Sequence, residues 1–205
     1  MTTERDTSAA GAPASLRQRK RARTRAALVA AALELFERQG YEGTTIDEIA
    51  AAADVSPRTF FRYFATKEEV ALGDDLGAEI IGLIAARPTE EPMLESVRRV
   101  ITDGLALISE EDREALLARL RIVYRTPSLR ARRWEFQLEM GRITGAIVAE
   151  RRGLPPDDLG SRVGAAAAFT AIEVAMDHWQ RHDGREDLLA VLDAAIGHLG
   201  HAFSG

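Results

Sequence analysis

Along the first third of the chain, apolar positions recur at three- and four-residue spacing. Leu28, Val29, Ala32, Leu33, Leu35 and Phe36 line one side of a helix predicted over about 16–39, and Gly40 supplies a natural C-terminal cap. The segment TIDE then offers a capping box: the Thr45 hydroxyl accepts from the Glu48 N–H while the Glu48 carboxylate reaches back. A second helix follows to about Ala52. Asp54 falls where a tight turn calls for a left-handed backbone, which Asp tolerates better than most residues. Ser56 is placed to cap, Pro57 fits the first helical position where no N–H is needed, and a third helix is predicted over about 57–63. A second capping box, TKEE, starts helix four at Thr66.

Helix four is expected to continue through VALGDDLGAEIIGLIAAR and to end before Pro88. Apolar spacing then places helices at about 92–109, 112–124, 128–152, 157–181 and 185–203, with breaks at SEED, TPS, RGLPPDD and HDGRED. Runs rich in Val, Ile, Thr and Tyr are missing and no fixed-period repeat occurs, so the expected fold is all-α and not a solenoid. The division expected is a disordered tail over 1–14, a helix-turn-helix head over 15–66 and a larger helical body over 67–205.

The stretch DVSPRTFFRYFATKEE crowds four aromatic rings into helix three. Phe60 and Phe64 are four apart and share the face that meets Ile46, Ile49 and Val55, so both are expected in the core. Arg58, Thr59, Phe61, Arg62 and Tyr63 are left for the other side. Guanidinium, hydroxyl and phenol groups pair with guanine edges and phosphate oxygens, and apolar groups meet thymine methyls, so this outer face has the composition of a DNA-reading surface. Thr45, Ser56 and Thr66 stand at helix N-termini, where free N–H groups and the positive dipole end suit phosphates, and Lys67 adds a point charge.

Charge sharpens this picture. The net charge of −5 argues against a uniformly sticky nucleic-acid coat, yet residues 15–67 carry a net +4 and residues 68–205 a net −8. The chain thus reads as a basic head on an acidic body, although SLRQRKRARTR alone would suit any solvated helix. The absence of cysteine excludes disulfides, thiolate catalysis and Cys-based zinc sites. With no signal peptide or long apolar span read, a cytoplasmic location away from membranes is expected.

The stretch GYEGTTIDEIAAAADVSPRTFFRYFATKEEV resembles the N-terminal domain of the TetR family of bacterial one-component transcriptional regulators. The likeness covers about 16–70: an alanine-rich first helix ending LFERQGY, a Thr-capped second helix, V-S-P-x-T, and an aromatic-R-Y-F run before K-E-E. It implies an all-helical homodimer, most often a repressor of a palindromic operator, whose body binds a small-molecule effector that releases the DNA. By that likeness Thr45, Ser56, Thr59, Tyr63 and Lys67 hold phosphates, Arg58 and Arg62 approach bases, and Pro57 and Phe61 belong to the same interface. Two positions depart from the family's habit. Asp54 stands where Gly is frequent, and Phe61 stands where Tyr is frequent, so that phenolic phosphate contact is lost and a thymine methyl or a sugar becomes the expected neighbour.

In the body, the last two helices combine small residues with larger anchors. Ala165, Phe169, Ile172, Met176, Trp179, Leu188, Leu192 and Ile196 suit either a four-helix dimer interface, as the resemblance implies, or the monomer's own core. Tyr124, Trp134, Phe136, Leu138, Met140, Ile143 and Phe169 are the large apolar candidates for a ligand pocket, and core is the competing reading. Seven arginines between 113 and 133, against the single acid Glu114, could receive an anionic head group or simply face solvent. The segments LRARRWEF and AERRGLPPDD resemble a branch of the family that senses acyl-CoA-like molecules, so an amphipathic or acyl-like effector is expected.

An enzyme or metal protein is the competing class. His178 and His182 are four apart on one helix face, with Asp177 and Asp183 near in sequence, but no Glu-x-x-His pair occurs. No G-x-S-x-G, Walker loop or dinucleotide fingerprint appears either. The expectation is therefore a non-enzyme with no metal and no cofactor. An architectural DNA binder without ligand control would leave the acidic body without evident use.

Overall fold

A computed structural model describes residues 16–73, 77–107 and 109–202. The tail expected over 1–14 lies outside the described residues. Among those described, the chain forms ten helices and no strand. These are α1 Leu16–Gln39, α2 Ile46–Ala52, α3 Pro57–Phe60, α4 Lys67–Leu72 and α5 Gly77–Ala85, then α6 Met93–Ala106, α7 Glu110–Arg125, α8 Pro127–Arg151, α9 Leu159–Arg181 and α10 Leu188–Ala202.

Two apolar clusters organise the molecule. The first gathers Leu28, Ala32 and Phe36 of α1, Ile49 of α2, Phe60 and Phe64 around α3, and Val70 and Leu72 of α4. Ile122, Val123 and Leu129 of the body also belong to it, so the head's core is completed by the α7–α8 corner. Polar contacts reinforce the joint: Arg125 grips the Glu37 carboxylate at 3.0 and 2.8 Å and donates to the Phe36 carbonyl at 3.2 Å. Ser128 donates to Glu42 at 2.8 Å. The end of α7 is thereby fastened to the C-terminal end of α1.

The single fourth helix expected from sequence is divided. Gly73 adopts φ +71 and ends α4 in a left-handed cap whose N–H bonds the Glu69 carbonyl. The Arg119 guanidinium packs 2.4 Å from where a β-carbon at Gly73 would stand, but that end of a long side chain can shift, so the backbone angle is what selects glycine. The helical periodicity resumes in α5.

The second cluster joins Ile84, Val97, Val100, Leu120, Met140, Phe169, Ile172, Met176 and Trp179 to Leu188, Leu192 and Ile196 of α10. Helices α8 and α9 approach closely because Gly141 and Gly145 face α9; a β-carbon on Gly145 would lie 3.0 Å from the Arg162 Cα. The small residues of α9 thus serve packing within the chain. Of the eight residues expected at a dimer interface, Phe169, Ile172, Met176, Trp179, Leu188, Leu192 and Ile196 belong to this core, and Ala165 is buried as well. Sequence pattern alone could not tell the two uses apart, because both demand an apolar stripe. Helix α9 is long and apolar enough to cross a membrane by composition, yet half of that stretch is buried inside the molecule.

Candidate nucleic-acid interface

The α2–α3 turn is held by the caps that the sequence announces. Thr45 Oγ1 accepts from Glu48 N at 3.2 Å, and Glu48 Oε2 accepts from Thr45 N and Oγ1, both at 2.8 Å. Those cap bonds hold the exposed Glu48 carboxyl below its usual range. Asp54 has φ +54, the left-handed conformation expected there, and Val55 N bonds back to Ala50 O at 2.9 Å. Ser56 Oγ accepts from Thr59 N at 3.1 Å and lies 3.0 Å from Thr59 Oγ1.

Helix α3 is shorter than predicted. Regular helix covers Pro57–Phe60, after which Arg62 N bonds Thr59 O and Tyr63 N bonds Phe60 O, tightening the last turn to three-residue spacing. Phe60 and Phe64 are fully buried with ring centroids 5.7 Å apart, as their spacing required. Pro57, Arg58 and Arg62 point to solvent, Thr59 and Tyr63 are half-buried, and Phe61 is 57% exposed. Phe61 thus lies exposed between the two outward guanidinium groups of Arg58 and Arg62.

The basic start of α1 belongs beside this surface, a placement that sequence reasoning left undecided. Arg25 lies over the Phe64 ring at 4.8 Å. A hydrogen bond from Thr24, then from Arg62, with the Arg62 and Arg21 charges, holds the Tyr63 phenol below its ordinary range. Arg17, Arg19, Lys20, Arg21 and Arg23 are exposed, and α1 contains no acid before Glu34. The i, i+4 spacing of Arg17, Arg21 and Arg25 on one helix face was the available signal.

Lys67 is placed differently from the free point charge expected. Its ammonium donates to Tyr41 O and Thr44 O, both at 2.9 Å, and sits 4.3 Å from the Tyr41 ring centroid. Two of its three protons therefore fasten the 41–44 loop that precedes α2. Thr66 caps α4 by accepting from Glu69 N at 3.2 Å, but the return half of the expected box falls one residue earlier, where Glu69 Oε2 accepts from Ala65 N at 2.5 Å.

The residues proposed for a ligand pocket separate into two environments. Met140 and Phe169 are buried, and Tyr124 and Phe136 pack against the same core. Trp134 and Leu138 are 49% and 56% exposed, and with Gln137, Ala166, Phe169 and Thr170 they line a shallow depression of about 240 Å³ including its open mouth. That is below the roughly 300–1,000 Å³ of drug-sized ligand sites. Beneath it lies a buried polar network. Glu173 accepts from Tyr124 Oη at 2.6 Å, from Arg133 Nε at 3.0 and 2.8 Å, and from Gln137 Nε2 at 3.1 Å. Burial pushes the Tyr124 phenol above its ordinary range. Gln137 Oε1 is buried without a hydrogen-bond partner among the described residues. Flipping the amide would aim that oxygen at the carboxylate, so the assignment is forced by charge.

The arginine-rich stretch does not converge. Arg113, Arg121, Arg125, Arg132 and Arg133 pair with Asp187, Asp183, Glu37, Glu135 and Glu173 respectively, in several directions. Only the Arg133 pair is removed from water.

A capped helix-turn-helix beside a basic first helix, packed against a larger helical body, is the architecture of a DNA-binding regulator, and the comparisons agree. The model for bacterial regulatory proteins of the tetR family matches residues 28–72, and the one described as the MftR C-terminal domain matches residues 91–204. The chain belongs to the TetR family. The HTH-type transcriptional regulator TcmR of Streptomyces glaucescens is 40% identical over 150 residues, which span 70% of this chain and 66% of TcmR, just under two thirds of its length. NalD of Pseudomonas aeruginosa, the secondary repressor of the MexAB-OprM multidrug efflux pump, superposes with a TM-score of 0.57 at 21% identity, covering 88% and 96% of the two chains. Thermus thermophilus FadR, a transcriptional repressor in complex with lauroyl-CoA, gives a TM-score of 0.50 at 25% identity, covering 88% and 95%.

Proposed function

We propose that the chain is a cytoplasmic transcriptional repressor that binds a palindromic operator as a homodimer and leaves it when an amphipathic small molecule occupies the body. The observation that carries this reading is the doubly capped α2–α3 turn, which holds Arg58 and Arg62 outward beside exposed Phe61. In this reading the two arginines contact base edges, and Phe61 meets a thymine methyl or a sugar. Thr45, Ser56, Pro57, Thr59, Tyr63 and the first turns of α1 border the phosphates, with the third proton of Lys67 available to the same backbone.

Pairing of two chains would use the outward stripe of α9. Val163 and Val174 are 54% and 60% exposed, and they align with exposed Ala166 and Thr170 and with Trp134 and Leu138 of α8. The effector would enter between α8 and α9. Its apolar part would meet Phe136, Met140 and Phe169, and its polar end would meet Arg133 and the partnerless Gln137 oxygen. Both helices border the pairing stripe, so a ligand that parts them resets the distance between the reading heads. Operator half-sites sit one turn, about 34 Å, or a multiple apart, so a changed spacing releases DNA. By linkage the ligand weakens operator binding by the factor with which operator weakens ligand binding.

The test is a base-by-base affinity profile. Arg58→Ala or Arg62→Ala should relax preference at particular base pairs at a cost of about 1–3 kcal/mol each. Uniform weakening across all sequences would show that α3 does not read bases. Native mass spectrometry of protein purified without denaturation, followed by operator release with any molecule found, addresses the effector.

A further inference from the structure

The corner between α9 and α10 carries a cluster that the regulatory reading does not use. His178 and His182 lie one turn apart at the end of α9, with ring centroids 4.1 Å apart and planes tilted by 32°. Sequence suggested Asp177 or Asp183 as the acid to join them, and the structure assigns both elsewhere. Asp177 pairs with Arg181 at 2.9 Å, and Asp183 pairs with Arg121 at 2.9 Å. Asp187, the next acid, faces Arg113 at 3.6 Å. The carboxylate that turns to the imidazoles is Glu186, whose Oε1 is 2.8 Å from His178 Nε2.

The backbone is built to deliver it. Asp183 and Gly184 both take left-handed conformations, φ +56 and +68, which reverse the chain directly after α9. A β-carbon on Gly184 would stand 2.7 Å from Leu117 and 3.3 Å from the Trp179 ring, so the reversal is fixed by packing. The buried Trp179 indole then donates to the Glu186 carbonyl at 2.9 Å, anchoring that residue. His182 Nδ1 lies 2.8 Å from the His178 carbonyl, which can only accept, and 3.9 Å from Glu186 Oε1, so Nδ1 donates to the carbonyl and a turn of the ring is needed to bring Nε2 to an ion. Orientation of a ligand imidazole by a backbone carbonyl is the usual outer support of a metal-bound histidine.

We propose that His178, His182 and Glu186 form a site for a borderline divalent transition-metal ion, with zinc as the physiological class. One ligand atom from each residue lies within 4.8 Å of the other two. A tetrahedral zinc ion with bonds of about 2.0–2.1 Å needs ligand separations of roughly 3.4 Å, which small side-chain rotations at this exposed corner supply. Two imidazoles and one carboxylate suit zinc and its neighbours better than calcium or magnesium, which prefer oxygen alone. The C-terminal end of the α9 dipole adds favourable negative potential. The fourth position is left to water. A bound ion ties the last turn of α9 to the residue pair before α10, and since the three ligands are gathered only in the folded chain, it raises the melting temperature.

The experiment uses the full chain with its affinity tag removed, stripped with chelator and titrated with Co²⁺. Saturable visible d–d absorption of tetrahedral intensity, at one ion per chain and displaced by Zn²⁺, is expected. Loss of even an outer partner costs roughly 10–100-fold in metal affinity, so H182A and E186Q should each weaken Co²⁺ binding at least that much while leaving the far-UV circular dichroism unchanged. H198A, ten residues or about 15 Å into α10, should bind as the parent does. No saturable band, undiminished binding by H182A or E186Q, or equal loss in H198A would overturn the assignment.

Discussion

Replacing Glu173 by Gln probes the buried polar network between α7, α8 and α9. The side chains of Arg133 and Glu173 are only 16% and 9% exposed, and the carboxylate is shared by Arg133, Tyr124 and Gln137. Glu173→Gln keeps the shape but leaves the Arg133 guanidinium inside the body with no counter-charge and turns an amide NH₂ toward one of its donors. Breaking one side of a buried ion pair costs about 3–5 kcal/mol. For a chain of this length each kcal/mol shifts the midpoint by about 2–4 °C, so thermal unfolding should fall by roughly 6–20 °C. Removing both charges in R133M/E173L should recover part of that loss, because an apolar pair replaces the ion pair at little cost while Tyr124 and Gln137 lose their acceptor. Urea unfolding of the parent, R133M, E173L and R133M/E173L closes the cycle. A Glu173→Gln midpoint within about 2 °C of the parent, or a double variant no better than the single, would show that the network does not hold the body together.

Lys67→Met removes two charge-assisted bonds to the 41–44 loop and one cation–π contact, so it should lower stability by about 2–4 kcal/mol in addition to weakening DNA binding. An unchanged melting temperature would return Lys67 to a pure phosphate contact. Asp54→Val, which forces a β-branched residue to φ +54, should cost about 1–2 kcal/mol, whereas Asp54→Gly should be neutral or slightly stabilising. Equal melting points for the two variants would contradict the left-handed turn. In acid, Glu91 is held at about 2 instead of 4.5 by Arg87 and Ser96, and Glu95 at about 2 by Arg98 and Arg99. The unfolded chain therefore takes up these protons first, and the stability they contribute above pH 4.5 is lost as pH falls toward about 2. E91Q/E95Q should flatten that part of the stability–pH curve, and an unaltered slope would remove them as its source.

The head was legible because its signals are local. Thr45, Ser56, Pro57 and Thr66 act on backbone groups within four residues, so their identity and spacing fix the helix starts without reference to the rest of the chain. The left-handed turn at Asp54 and the buried faces of Phe60 and Phe64 follow from the same short range. Contacts between distant residues were not legible. Lys67 finds its acceptors at Tyr41 and Thr44, and the apolar stripe of α9 finds α8 and α10 within its own chain. The interruption of helix four lies in the left-handed backbone at Gly73, a residue that can end a helix or pass within one. Glu186 was missed as a companion of His178 and His182 because the Asp183–Gly184 reversal, not helical periodicity, brings it to them.

The central claim is that two copies of the α2–α3 head read one symmetric DNA site, and selection from a fully random duplex library by the full-length chain tests it most directly. The account predicts enrichment of a two-fold symmetric sequence whose half-site centres are one helical turn, about 34 Å, or a multiple apart. Recovery of sequences without two-fold symmetry, or no enrichment over the starting library at moderate salt, would contradict it.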